Sequence, residues 1–322
     1  MQDDPLVNIL MEQGVKVIRG EPMKRHTTWR IGGPADYFVE PDSVDALRAC
    51  VCAARDHGLP ITVIGRGSNT LVLDGGIRGL VIKLHDAFAS CDVREDECAV
   101  YAMAGRSYVA LANLAIRHGL SGLEFATGIP GSVGGAVMMN AGAYGRETCE
   151  VLAWAEVMDE TGAIARLSNE ELRFGYRYSV LKDRFGIVTR AKFQLEPGNR
   201  DEMRRLVREW SQRRIATQPL SFPNCGSVFR NPEGTHAARL IEEAGLKGLR
   251  RGQAMISDKH ANFIINLGNA SASDVLWLIR HAQSVVRERF GIALETEVRV
   301  LGEPLSGGAD DGIAADHHHH HH

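Results

Sequence analysis

Several features are missing from this 322-residue sequence, and each absence narrows what the chain can be. No apolar run reaches the ~18 residues that a bilayer-spanning helix needs, so no membrane partner is expected. The first ten residues, MQDDPLVNIL, are acidic and carry no basic stretch, so they do not read as a secretory signal. Six cysteines with no C-x-x-C pair do not make a disulfide scaffold; they read as reduced thiols in a cytoplasmic protein. Outside the purification tag at 317–322 there are seven histidines, none in H-x-x-x-H or H-E-x-x-H spacing, and no metal site is expected. No G-x-x-x-x-G-K-[ST] loop is present. The net charge of −3 gives no bulk attraction to nucleic acid.

What remains is an ordinary globular composition, 44% hydrophobic and 24% charged. Residues 305–316 are Gly-, Ala- and Asp-rich and read as a tail. The rest is long enough for two or three cores. Asp42 or Ser43 caps a helix carrying Val44, Leu47, Val51 and Ala54, which Gly58 stops. Short apolar runs at 61–65, 80–84, 99–104, 152–158 and 187–195 read as strands, and 108–118 as a helix. The texture changes near Pro197-Gly198. Helices are expected at 201–214, with Met203, Leu206, Val207 and Trp210 on one face, and at 237–244 and 273–290; strands are expected at 262–267 and 293–301. Boundaries are placed near residues 85 and 200: lobes at 1–85 and 86–200, a third domain at 201–303, and a tail at 304–322.

Two glycine-rich segments stand out. Gly65-Arg66-Gly67-Ser68-Asn69-Thr70 follows a strand, but the third glycine of a dinucleotide fingerprint is missing and no helix opens after it. It is either a tight turn or a nest of backbone N–H groups around a phosphate, with Ser68 and Asn69 as added donors. In GIPGSVGGAVMMNAGAYG, residues 128–145, six of eighteen residues are glycine, a density that calls for bare backbone close to another strand or a ligand. Pro130 occupies the first glycine position of a G-x-S-x-G nucleophile elbow and no helix is expected directly after it, so a hydrolase is disfavoured. Two such loops with Ser and Asn donors suit a ligand with two phosphates, such as FAD.

Eight segments in order carry a family resemblance: TTWRIGGPADYFVEP, VIGRGSNTLV, GIPGSVGGAVMMNAGAYG, FGYRYSVLK, PNCGSVFRNP, AARLIEEAGLKG, SDKHANFIIN and LETEVRVLG. Together, from about Pro22 to Gly302, they resemble the UDP-N-acetylenolpyruvoylglucosamine reductases, flavoenzymes of peptidoglycan precursor synthesis. The short 231–238 connection resembles the compact class that lacks a tyrosine-bearing loop. The resemblance implies an α+β chain: a two-lobed FAD-binding region of the PCMH type, then a smaller α/β substrate-binding domain. It implies FAD as cofactor, NADPH as co-substrate and a UDP-sugar substrate; a monomer is expected, although the sequence does not give the oligomeric state. FAD contacts would come from Gly65, Gly67, Ser68 and Asn69 in the first loop. The second loop would add Gly128, Ile129, Pro130, Gly131, Ser132 and Gly135, with Asn140 and Gly142 beyond it and Arg214 as a phosphate contact.

The same resemblance assigns catalytic roles to Arg177, Ser227 and Glu297. Reduction of an enol ether beside a carboxylate needs a fixed cation for the developing enolate charge and an acid on the correct face. Arg177 can hold a carboxylate through two hydrogen bonds; taken alone it would be a surface arginine on a turn. Ser227 matches the proton donor; taken alone it would cap a turn. Cys225 has no assignable base and reads as packing. Strand alternation puts Glu295, Glu297 and Arg299 on one face, and Glu297 matches the glutamate that orients the substrate carboxylate. Tyr144, Tyr176, Arg230, Asn231 and His260 fall at positions near substrate, although a lone His260 would more often be structural. Position 217, commonly lysine in the family, is threonine here, which leaves Arg213 or Arg230 to replace one diphosphate contact. Oxidases with the same FAD clasp would not be expected to carry PNCGSVFRNP and LETEVRVLG. A non-catalytic flavin- or UDP-sugar-binding protein would not be expected to keep Arg177, Ser227 and Glu297 together.

Overall fold

Local sequence forces set the helices. The computed structural model of the chain describes residues 3–306; residues 1, 2 and 307–322, with most of the expected tail and the tag, lie outside the described residues. Helix α1 (Pro5–Glu12) starts on the carboxylate of Asp4, which accepts from the backbone N–H of Leu6 and Val7. Helix α2 (Val44–Asp56) starts on Ser43, whose hydroxyl accepts from Ala46, and buries Leu47, Cys50, Val51 and Ala54. Helix α3 (Tyr108–Arg117) is capped by Ser107. Helix α4 (Val133–Met139) begins directly after Ser132, where no helix is expected from the sequence. Helices α5 (Arg200–Thr217), α6 (Ala237–Glu243) and α7 (Ala272–Phe290) belong to the C-terminal third.

Three sheets organise these helices, and the α+β class expected from the sequence is the one observed. The first has the order Ile18–Pro22, Pro34–Val39, Ile77–Lys83, Ile61–Ile64, with one antiparallel and two parallel pairings. The second is a five-stranded antiparallel sheet in the order Ile164–Ser168, Leu152–Met158, Ile187–Gln194, Ala99–Met103, Cys91–Arg94. One buried cluster runs from Leu6 to Leu195 and lies under both sheets, so residues on either side of position 85 share a core. The third sheet, Arg250–Arg251, Ala254–Ile256 and Ile264–Asn266, packs with α6 and α7 around a second cluster. Val275, Leu276, Leu278, Ile279 and Val286 of α7 are fully buried there. Each such side chain contributes about 1.5–3 kcal/mol.

The C-terminal third is tied to the first lobe by sequence-distant contacts. Trp29 is fully buried in the second cluster and donates from Nε1 to the carbonyl of Ile264 at 2.8 Å. Asp74 accepts from the first N–H groups of α7, at 2.9 Å from Ala272 and 3.0 Å from Ser273. Arg299–Leu301 pairs in parallel with Thr70–Val72, the segment that follows the first glycine loop. The expected 293–301 strand is therefore a strand only over its last three residues, because its partner there is so short. Of the face predicted for α5 only Met203 is buried, while Leu206 stays 37% exposed.

Candidate active site

The two glycine loops meet. A Cβ on Gly65 would overlap the hydroxyl of Ser132. Ser68 donates its hydroxyl to the carbonyl of Pro130 at 3.2 Å, and a Cβ on Gly131 would lie 2.7 Å from that hydroxyl oxygen. Ser132 is buried and accepts from the N–H of Gly135 at 3.1 Å, so it caps α4 while facing the first loop. These contacts form one wall of a cavity of about 590 Å³. That volume lies within the range of cofactor and substrate clefts. Gly67, Ser68, Asn69, Gly128, Ile129, Pro130, Gly131, Ser132, Gly135 and Gly142 all line it.

Arg177, Ser227 and Glu297 line the same cavity, although they come from three separate segments. Arg177 sits on a tight turn at φ +46° and donates from Nη2 to the carbonyl of Gly142 at 3.2 Å. Glu297 is held from both sides. Its backbone N–H donates to the carbonyl of Val228 at 2.8 Å, and its carbonyl accepts from the Asn69 side chain at 2.9 Å. The first of these bonds fixes Glu297 beside the segment that carries Ser227, which is itself exposed to the cleft. The Tyr176 hydroxyl donates to Glu297 Oε1 at 2.6 Å, and Arg177 Nε lies 3.9 Å from the same oxygen. Burial first, and then the Glu297 carboxylate, push the Tyr176 hydroxyl above its usual pKa, so it stays a donor.

The guanidinium groups of Arg177 and Arg230 lie over the Tyr176 ring at 4.7 Å and 4.4 Å. Arg214 lines the cavity and donates to the Tyr144 hydroxyl at 3.0 Å. The Tyr144 ring stacks on Trp210 of α5 with centroids 4.1 Å apart and planes 1° from parallel. Asn69, Asn140, Tyr144 and Arg177 are four of the seven non-glycine residues at positive φ among the described residues. Such strain concentrates where a site needs it.

Other expected site residues stand elsewhere. Asn140 does not line the cavity: it is fully buried, and its amide donates to Gly175 O at 2.8 Å and Glu147 Oε2 at 3.3 Å while accepting from Cys149 N at 2.9 Å. Its hydrogen-bonding capacity is taken up by protein, so it is an organiser rather than a direct ligand contact. Asn231 accepts from Ala237 N at 3.0 Å and starts α6. His260 packs on Phe263, which does line the cavity, and burial holds its pKa below the usual value. Arg230 is exposed and pairs with Glu295 at 3.3 Å. Thr217 is exposed and donates to Arg213 O at 2.8 Å; it does not line the cavity, although Arg214 and Gln218 beside it do. Cys225 lines the cavity but is buried and its thiol is pushed up, in keeping with a packing role. Glu147, Arg66 and Arg299, which the sequence did not single out as site residues, are at or beside the cavity. Arg66 lay inside the first loop motif, and Arg299 on the expected face of the last strand. Glu147 carried no such signal.

Residues 35–168 match the model of a FAD binding domain, and residues 218–301 match the UDP-N-acetylenolpyruvoylglucosamine reductase C-terminal domain. The first match contains both glycine loops and the second contains Ser227 and Glu297; Arg177 falls between them. The chain is 49% identical over 285 residues to the UDP-N-acetylenolpyruvoylglucosamine reductase of Rubrobacter xylanophilus, covering 88% of this chain and 95% of that one. The chain belongs to the UDP-N-acetylenolpyruvoylglucosamine reductase family. The reductase of Caldanaerobacter subterraneus is 47% identical, with 93% of this chain and 98% of the relative aligned. A crystal structure of the Thermus caldophilus reductase superposes with a TM-score of 0.76 at 40% identity, covering 89% of this chain and 99% of that one.

The cofactor of this reductase is FAD. The cavity fits it on structural grounds. Gly67, Gly128 and Gly131 line the cavity, and the space a Cβ would take at each is already filled by protein: His26 and Thr27 at Gly67, Tyr144 and Arg214 at Gly128, Ser68 at Gly131, so only glycine lets the two loops close around the cavity. At Gly128 a Cβ would come within 2.7 Å of the Tyr144 ring and 2.9 Å of Arg214 Nη1. Arg214 and Arg66 also line the cavity; Arg66 is paired with Asp86 at 2.9 Å, so Arg214 is the cation that would face a diphosphate there.

Proposed function

We propose that this chain reduces UDP-N-acetylglucosamine enolpyruvate to UDP-N-acetylmuramate with NADPH as reductant. The observation that carries this reading is the convergence of Arg177, Ser227 and Glu297 on one cavity walled by the paired glycine loops. Bound FAD supplies two-electron hydride chemistry between NADPH and the alkene. The protein groups do the rest. Arg177 holds the substrate carboxylate through its planar fork and offsets the charge that develops on it. Ser227 delivers a proton to the carbon next to that carboxylate, which is a far stronger base than the alkoxide left behind. Glu297, anchored by Tyr176 and Asn69, orients the carboxylate end of the substrate. Arg214 contacts a phosphate, and Tyr144, Tyr176 and Arg230 border the path for the UDP group. Residues 1–85 and 86–200 act as two lobes of one FAD-binding unit, and 201–303 as the substrate domain. Free cysteines support a reducing, cytoplasmic setting, and the chain is taken to work as a monomer. No helix among the described residues is long and apolar enough to cross a membrane.

An anaerobic visible-absorbance titration tests the proposal. A yellow protein should bleach with NADPH and recover its colour when UDP-N-acetylglucosamine enolpyruvate is added. Bleaching without recovery overturns the substrate. Absence of a flavin spectrum after FAD addition overturns the role given to both loops.

A further inference from the structure

Arg177 has two carboxylates within about 4 Å, and only one of them, Glu297, has a part in the proposed reaction. We infer that Glu147 is a positioning residue for Arg177, a counter-anion that keeps the guanidinium from collapsing onto Glu297; this rests on the role proposed for Arg177. Arg177 Nη1 is 4.0 Å from Glu147 Oε1, and its Nε is 3.9 Å from Glu297 Oε1. Neither distance is a direct hydrogen bond. With a carboxylate at nearly equal reach of Nη1 and of Nε, the guanidinium closes on neither, and Arg177 lines the cavity.

The local structure is built to hold Glu147 there. Gly142–Ala143 and Arg146–Glu147 form a small hairpin in which Glu147 pairs with Gly142, whose carbonyl is the acceptor for Arg177 Nη2. One hairpin therefore presents both a carbonyl and a carboxylate to the same guanidinium. Asn140 connects it to the turn that carries Arg177. Its buried amide donates at 3.3 Å to Glu147 Oε2 and at 2.8 Å to the carbonyl of Gly175, two residues before Arg177. A shift of the hairpin is thus passed to the Arg177 turn through one amide.

Removing the charge of Glu147 leaves Glu297 as the only near anion in this pair. The guanidinium then closes on Glu297 Oε1, spends N–H donors there and competes with Tyr176 for the same oxygen. Fewer donors remain for a substrate carboxylate. Glu147 also caps the turn at Thr148–Glu150, so a purely local structural role has to be separated from the electrostatic one. Glu147→Gln does this, because a carboxamide keeps one acceptor oxygen for the cap and for Asn140 while removing the charge and placing an NH2 group at the oxygen that faces Arg177.

The test is a double-mutant cycle of Glu147→Gln and Arg177→Lys in the FAD-loaded protein, reading kcat, KM, the flavin spectrum and Tm. E147Q should keep its flavin spectrum and Tm, and lose about 10- to 100-fold in kcat, the scale of a displaced catalytic group. In the R177K background the same change should cost less than about 2-fold, because both residues act through one group. If R177K is damaged and E147Q is not, the inference falls and the role of Arg177 stands. An unchanged kcat in R177K removes the role of Arg177, and the inference with it. Equal losses from E147Q in both backgrounds assign Glu147 a structural role only and overturn the proposal. Should E147Q lose FAD, E147D replaces it in the cycle; the loss it causes should vanish in R177K, and an equal loss in both backgrounds overturns the inference.

Discussion

The side chain of Asn69 donates to the backbone carbonyl of Glu297 at 2.9 Å, and Arg299 returns a backbone bond to the Asn69 carbonyl at 3.0 Å. The first glycine loop thus grips the segment that carries Glu297 and leads into the Arg299–Leu301 strand. Asn69 does this from φ +52°, a conformation that Asn tolerates better than most residues. Asn69→Gly keeps that conformation accessible and removes only the side-chain bond. Its expected cost is about 1 kcal/mol of stability, the net worth of one such bond. Turnover should fall while the flavin is still bleached by NADPH. Asn69→Ala should cost more, since Ala also resists positive φ. Thermal melts and steady-state rates of the pair separate the two effects.

Ser227→Ala removes the proposed proton donor without disturbing the backbone pairing of Val228 with Asn262 and Glu297. Turnover of the enolpyruvyl substrate should fall by about 10²- to 10⁴-fold, the usual range for a lost general acid. Anaerobic bleaching by NADPH should stay within a few-fold of the parent. Stopped-flow absorbance measures the two half-reactions separately. Normal substrate turnover in the variant would mean that the proton comes from elsewhere.

Strong local signals were readable in the sequence. Helix α2 was legible because Ser43 caps a stretch whose apolar residues recur at helical spacing. Helix α4 was not, because VGGAVMM is short, has two glycines and lacks a polar face; packing decides it. The Thr70–Val72 and Arg299–Leu301 pairing joins three-residue partners far apart in sequence, which no local period announces. At the site, the resemblance brought the right segments together but not every side chain's task. Asn140 is expected from the sequence to be a ligand donor, but it is fully buried and bonds Glu147 and Gly175; Asn69 does line the cavity, and its side chain also donates to the Glu297 carbonyl. Hydrogen-bonding side chains in a glycine-rich loop look alike in sequence whether they face a ligand or the protein.

Gly128 lies where a side chain has no room, for steric reasons alone. A Cβ there would stand 2.7 Å from Tyr144 Cε2 and 2.9 Å from Arg214 Nη1. Tyr144 has little freedom to move away, because Trp210 covers its ring face at a centroid distance of 4.1 Å. Gly128→Ala should therefore cost about 1–3 kcal/mol in overpacking. The expected signature is weaker FAD retention on gel filtration, with Tm lowered and partly restored by excess FAD. Combining it with Trp210→Ala, which frees the Tyr144 ring, should return part of the lost stability.

His260 ties stability to pH with a definite sign. Burial is the largest cause of its lowered pKa, with Lys247 adding to it, against an ordinary value of 6.5. The unfolded chain therefore takes up a proton near pH 6.5 that the folded chain refuses until a lower pH. Stability contributed by neutral His260 is complete above pH 6.5, and it declines as pH falls toward the folded-state value. Its Nδ1 accepts from the N–H of Asn262 at 3.2 Å, which protonation would abolish, and Asn262 in turn holds both backbone groups of Phe229. His260→Asn keeps an acceptor at that position and cannot titrate. Melts at pH 7.5 and 5.5 should show a larger drop in Tm for the parent than for the variant. Equal drops in the two proteins would assign the acid sensitivity to other groups. Because Phe263, packed on His260, lines the cavity, the same acidification should raise the KM of the parent more than that of the variant.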